Sequence, residues 1–430
     1  MKLHRIADEV GVGIIAGLVG TAAITIAQLI EASLQDKQPS PVPAKAAEKL
    51  LELDPRGAAA EARLAQARAG RLPALTLSGE AGQGTTDLGG FFGFGRADVS
   101  PRGAALELRQ PLLTGGAVSA AIDRARQGRN AAIAQAGGAK ALLAAQAAEA
   151  YVSVLAAREI LALNEAQVRQ MGEIADQAQL RFKGGETPRT DLAQAQARLA
   201  EARAGLARAS GDVARNRAHF VSVVGVEPDN LESLPVPPPI PLSLDVAMAT
   251  ALQTSPALVA AQAQARAADA GVRYAQADRL PSLALTARAS SARDQFFPGY
   301  RADGVTVGVQ GRWILFAGGL INGKINEARA GARGAQSGVD SARAQVREAV
   351  TGAWEDVQTS RALVAAAADQ ATAAASALDS ARNEVRVGQK PTLDLLDAER
   401  EALAAQSAGV TARGGAVAAA YRLNALLHGE

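Results

Sequence analysis

Val387-Gly388-Gln389-Lys390-Pro391-Thr392-Leu393-Asp394-Leu395-Leu396-Asp397-Ala398 joins two stretches of helical pattern and decides how they meet. Gly388 ends the first stretch, because glycine adopts the left-handed conformation that closes helices without steric cost. Pro391 suits the first turn of the second, where a backbone N–H is not needed. Asp394 and Asp397 stand three apart and share one face of the new helix. The same design occurs 203 residues earlier, in Lys183-Gly184-Gly185-Glu186-Thr187-Pro188-Arg189-Thr190-Asp191-Leu192. There Gly185, Pro188, Asp191 and Leu192 take the places of Gly388, Pro391, Asp394 and Leu395, while Gln194 stands at the place of Asp397. The chain reads as a helix–turn–helix written twice.

Outward from each turn lies a long helical pattern. No proline interrupts Ala117 to Phe182 or Leu320 to Val387. At 1.5 Å per residue, either stretch would run roughly 100 Å if continuous. Such lengths suit a coiled coil or a helical barrel rather than an ordinary globular helix. The returning segment carries Leu192, Leu199, Leu206, Val213 and Phe220 at intervals of seven, with Ala195, Ala202 and Ala209 between them. That is a seam for closely packed, left-handed supercoiled helices. Leu395, Ala402, Gly409, Ala416 and Leu423 continue it in the second half with smaller residues.

Upstream of each long stretch the period changes from helical to alternating. After Leu72-Pro73 and again after Leu280-Pro281, Leu75, Leu77 and Leu283, Leu285 alternate with small or polar residues, which predicts strands with one apolar face. Glycine-rich loops follow, Gly82 to Gly103 and about Ser290 to Gly304, and then alternating strands at Ala104–Arg109 and Val305–Gln310. The strands close on corners, Pro111 to Gly116 and Ile314 to Gly319. Each half thus holds one hairpin whose strands have the length that crosses a bilayer within a barrel. The loop aromatics Phe91, Phe92, Phe94 and Phe296, Phe297 suit either a membrane interface or packing within their own loops.

The expected domains follow from these boundaries. Residues 1–34 form a signal or membrane-anchor segment: Lys2, His4 and Arg5 precede an uncharged run from Val10 to Ile30 containing Gly13 and Gly17. A buried helix is the other reading of that run. Residues 35–54 are a proline-containing linker. Residues 55–234 are the first repeat, with a β-hairpin at about 72–112 and helices at 117–182 and 188–224. Residues 235–241, Pro-Val-Pro-Pro-Pro-Ile-Pro, are an extended connector. Residues 242–430 are the second repeat, with a β-hairpin at about 280–315 and helices at 320–387 and 391–427.

Composition excludes several function classes. Aromatic residues are only 3% of a chain that is 48% apolar, which suits closely packed alanine-rich helices better than an enzyme core. A net charge of +2 gives no sign of a nucleic-acid partner. With no cysteine there is no thiolate chemistry and no disulfide framework. His4, His219 and His428 lack metal-ligand spacing, and no nucleophile–base set or phosphate loop occurs, so neither a catalytic residue, a metal site nor a cofactor is expected.

Over roughly residues 55–430 the chain resembles the TolC-like outer-membrane efflux channels. The resemblance rests on the duplication, the Leu-Pro before each first strand, the corner Phe316-Ala317-Gly318-Gly319, the segment from Leu244 to Pro256 and the turn from Gly388 to Asp397. It implies a mostly α fold with a membrane β-barrel part, in which each half is a β-hairpin plus a long coiled-coil helical hairpin. It also implies a homotrimer in which each chain gives four strands to a 12-stranded β-barrel set on a helical barrel. The implied function is a passive exit duct in the outer membrane of a Gram-negative bacterium. It would serve a tripartite efflux or type I secretion system, together with a periplasmic adaptor (membrane fusion) protein and an inner-membrane pump. By the same resemblance Asp394 and Asp397 form the acidic pore constriction, and Lys390 is a gate-linking residue whose partners are Thr190 and Asp191. Gly185, Pro188, Gly388 and Pro391 form the turns. Where the best-known member has a tyrosine before the turn, this chain has Val385. The residues alone also allow Asp394 to serve only its helix dipole, an interaction of roughly 0.3–1 kcal/mol. They leave room for a different protein as well, a membrane-anchored periplasmic coiled-coil scaffold or adaptor.

Overall fold

The computed structural model describes residues 55–87, 89–90 and 95–427. The segments 1–34 and 35–54 and the cluster Phe91, Phe92, Phe94 lie outside them. The chain is mostly helical, in the order α1 (Pro55–Ala69), β1 (Ala74–Ala81), β2 (Gly84–Asp87), β3 (Arg96–Val99), β4 (Arg102–Thr114), α2 (Ala117–Lys183) and α3 (Arg189–Val224). Then follow α4 (Leu244–Thr254), α5 (Pro256–Ala277), β5 (Ser282–Arg293), β6 (Arg301–Arg312), α6 (Leu320–Arg386) and α7 (Thr392–Leu427). The long helices α2 and α6 have 67 residues each, and α3 and α7 have 36 each. Among the described residues, the chain divides into two compact units, one of residues 55–135 and 258–342, the other of 136–257 and 343–427. Each unit draws on both halves of the sequence.

The first unit contains a four-stranded antiparallel sheet in the order β1-β4-β5-β6. Directly paired residues project to the same side of a sheet, so the register sorts the side chains. Leu77, Leu106, Ala289 and Val305 form one row, and Leu75, Leu108, Ala287 and Val307 the next. The intervening row is Thr76, Glu107, Arg288 and Thr306. One face is therefore aliphatic and the other polar. The aliphatic side chains are open to the surroundings, Leu77 at 75% and Val305 at 77% exposure. β1 and β6 pair on one side only, so the sheet is open at both edges and forms no closed barrel by itself.

Two details depart from the alternation pattern. The glycine-rich segment after β1 contains a second small hairpin, β2–β3. Strand β4 runs past Arg109 to Thr114, with an irregularity between Pro111 and Leu113. Proline is tolerated there because β1 has already ended at the Ala74–Arg109 pair, so only β5 lies beside it. The corner narrows to Gly115-Gly116, both at positive φ. A Cβ on Gly115 would stand 2.8 Å from the carbonyl oxygen of Ala277 and from Cβ of Leu280. The loop after β5 is closed by its own rings, since Phe296 and Phe297 meet Tyr300 edge-on at centroid distances of 5.0 and 5.4 Å.

The second unit is helical, and its core is made largely of alanine, with Val154, Val350, Leu396, Leu423 and Leu427 fully buried. Helix α4 begins at Ser243, whose hydroxyl accepts the N–H of Val246. It stops before Pro256, which opens α5. Phe220, at the end of the α3 seam, packs with Ala150 and Val154 of α2, and Tyr151 donates to the carbonyl of Glu232 at 3.0 Å. Arg413 and Arg422 of α7 pair with Glu159 and Glu149 of α2 at 2.8 and 2.6 Å. Gly414 is the closest approach: a Cβ there would lie 2.8 Å from Val152 Cγ1.

Candidate functional site

The two helix–turn–helix ends have the same backbone. At the first, the N–H groups of Gly184, Gly185 and Glu186 donate to the carbonyls of Leu180, Phe182 and Arg181. At the second, Val387, Gly388 and Gln389 donate to Asn383, Val385 and Glu384, each bond displaced by the same 203 residues. Gly185 and Gly388 both have φ 74°, where a side chain would be strained. The backbone N–H groups of Asp191 and Asp394 then donate to the carbonyls of Pro188 and Pro391, both at 3.2 Å. The turns are one device used twice.

The side chains on them differ. Lys390 Nζ is 2.7 Å from Glu384 Oε2, within its own turn. Its pKa is raised above the usual lysine value, first by the Glu384 hydrogen bond, then by the charges of Glu384 and Asp394. The other two gate-linking candidates lie together on the first turn, Thr190 Oγ1 donating to Asp191 Oδ1 at 3.4 Å. Within one chain, then, Lys390 is engaged by Glu384 rather than by Thr190 and Asp191. Val385 is buried and offers no hydrogen-bond donor from its side chain.

The two carboxylates of the second turn also have different surroundings. Asp394 is exposed, and no cation among the described residues forms an ion pair with it. Asp397 accepts a charged hydrogen bond from Arg198 Nη2 of α3 at 2.8 Å, with Arg400 further off at 3.9 Å. Arg198 Nη1 binds Glu201 at 2.9 Å, so one guanidinium is shared by two carboxylates. Apolar packing fixes this meeting: Leu396 is buried against Met171 and Ile174 of α2, with Leu199 and Ala202 of α3 around it.

Sequence reasoning did not single out Arg198, Glu384, Arg382 or Glu399. Arg198 directly precedes the seam residue Leu199, a place where charges pair across coiled helices, and that signal was available. Glu399 is 3% exposed and is held by Nε and Nη2 of Arg382 at 3.1 and 2.7 Å. At the positions 203 residues earlier stand Gln179 and Gln196, so this tie belongs to the second turn alone. Among the described residues no group of His, Asp or Glu is placed to hold a metal ion.

Comparison with known proteins agrees with this anatomy. The sequence pattern of one family, described as outer membrane efflux protein, matches residues 47–226 and 247–429. The outer membrane efflux protein BepC of Brucella suis biovar 1 (strain 1330) is 29% identical over 280 residues, 65% of this chain and 61% of that protein. The aligned part thus spans less than two thirds of that relative's length. Among solved structures, the Campylobacter jejuni CmeC outer membrane channel superposes with a TM-score of 0.78 at 15% identity, over 94% of this chain and 85% of that one. VceC from Vibrio cholerae gives 0.75 at 22% identity, over 94% and 96%. The open state of the Neisseria gonorrhoeae MtrE outer membrane channel gives 0.74 at 21% identity, over 94% and 89%. At these identities the likeness to solved structures is one of fold.

Proposed function

Since the chain belongs to the outer membrane efflux protein family, a non-enzymatic transport family of the Gram-negative outer membrane with a long periplasmic helical part, we propose that it is the exit duct of a tripartite efflux or type I secretion system. Small molecules or polypeptides pass through it passively out of the periplasm. The observation that supports this most directly is the sheet: one aliphatic face, one polar face and two unpaired edges. In lipid, an open edge leaves backbone groups without partners, each at a cost of several kcal/mol, so such a sheet must be closed by other copies. Three chains would make a 12-stranded barrel with its aliphatic face toward lipid and its polar face toward water.

In this reading residues 55–234 and 242–430 are two copies of one unit, and their turns form the periplasmic end. Six carboxylates from Asp394 and Asp397 of three chains surround a narrow passage there, which favours cations over anions. Lys390, Thr190 and Asp191 link neighbouring turns when the passage closes. Gly185, Pro188, Gly388 and Pro391 keep the turns in shape. A periplasmic adaptor and an inner-membrane pump dock at this end. Planar-bilayer recording of the purified protein tests the proposal. Conducting, cation-selective pores are expected, with selectivity weakened in D394N/D397N. Absence of pores removes the duct reading, and unchanged selectivity in the double variant removes these residues from the passage.

A further inference from the structure

We propose that Arg198 sets the charge of the constriction by neutralising Asp397, which leaves Asp394 as the carboxylate that passing cations meet. This rests on the reading of Asp394 and Asp397 as constriction residues and assigns them unequal parts. The supporting geometry is the Arg198–Asp397 bond of 2.8 Å between α3 and α7, two helices held together there by Leu396 and its neighbours. The Arg198 side chain is 26% exposed and that of Asp397 47%, so the fork is partly withdrawn from water while Asp394 stands in it. The Arg198 guanidinium gives one N–H to Asp397 and another to Glu201, and its charge offsets that of Asp397 at short range. The pair occurs once per chain. At the positions 203 residues away, Asp397 is replaced by Gln194 and Arg198 by Glu401, so the other turn cannot repeat it. Three chains would then present three free carboxylates rather than six.

The test uses the full-length protein in planar bilayers, with reversal potential in a potassium chloride gradient and block by magnesium as readouts. R198Q leaves Asp397 only the more distant Arg400, at 3.9 Å, so the reversal potential moves toward the potassium value. The half-blocking magnesium concentration falls roughly thirtyfold, the factor a unit charge about 4 Å from a divalent ion gives through a water-like medium. R198K keeps the charge and stays near wild type. D397N weakens magnesium block more in the R198Q background than in the wild-type background, a coupling that independent residues do not show. R198Q with wild-type selectivity and block overturns the proposal, and so does a D397N effect equal in both backgrounds. D394N serves as the control on the underlying reading. Pores that are insensitive to D394N discard the constriction assignment itself, whereas pores sensitive to D394N and indifferent to R198Q discard only the pairing.

Discussion

Glu399 is the most deeply buried carboxylate described in this chain, and Arg382 donates to it through two nitrogens across the α6–α7 turn. A buried ion pair contributes little net stability compared with apolar residues, but removing one partner strands the other. R382A is expected to lower stability by about 2–3 kcal/mol, below the 3–5 kcal/mol of a fully enclosed pair because Arg382 is 43% exposed. R382L/E399L should recover most of the loss. Thermal unfolding of the detergent-solubilised protein measures both. A silent R382A, or a double variant worse than the single, contradicts the assignment.

Lys390 carries a pH dependence of definite sign. Its pKa is raised in the folded chain by the Glu384 hydrogen bond, so the contribution of the pair is complete below the ordinary lysine value of about 10.4. It disappears as pH rises through the raised value. Acetylation of Lys390 followed by mass spectrometry should show its reactivity rising later with pH than that of solvated lysines. E384Q should move the midpoint back down, and a midpoint indifferent to E384Q would remove Glu384 as the cause.

The two faces of the sheet respond oppositely to charge. Val307 lies on the aliphatic face and Thr306 on the polar one. An arginine facing lipid near the middle of the membrane costs about 2–4 kcal/mol. V307R should therefore reduce the amount of folded protein recovered in the outer-membrane fraction, and T306R should leave it nearly unchanged. Equal losses would mean that the two faces do not meet different media, and a larger loss from T306R would mean that they have been assigned the wrong way round.

Adjacent glycines in α7 give a matched pair. A Cβ at Gly414 meets Val152 at 2.8 Å, whereas at Gly415 nothing lies within 4 Å. Alanine is favoured over glycine in a helix by about 1 kcal/mol. G415A should raise the melting temperature and G414A should lower it despite the same propensity gain. Both variants shifting upward would show that α2 and α7 are not in close contact here.

Much of this was legible because periodicity reports backbone. The two long helices, the seam through Leu192 and Leu199, the alternating strands and the glycine–proline turns all write their geometry into spacing, and the resemblance to efflux channels was correct. The β2–β3 hairpin escaped notice because four-residue, largely polar strands inside a glycine-rich loop have no apolar face to reveal them. The extension of β4 through Pro111 was hidden because proline reads as a strand end, and only the early end of β1 makes it tolerable. Within the candidate site, turn residues were legible and charge partners were not. Arg198 and Asp397 are separated by 199 residues, and their meeting depends on how two helical hairpins pack. Nothing in either local sequence states that register.

The unpaired edges of β1 and β6 bear on how the protein reaches its membrane. A single chain entering lipid would carry two rows of amides and carbonyls into a medium that cannot solvate them. If copies of the chain close the barrel as proposed, penetration of the bilayer and their association would occur as one event, on the membrane, rather than as stepwise addition of preinserted monomers. The rate of maturation should then depend steeply on chain concentration at the membrane surface, and a half-assembled barrel should be a short-lived species.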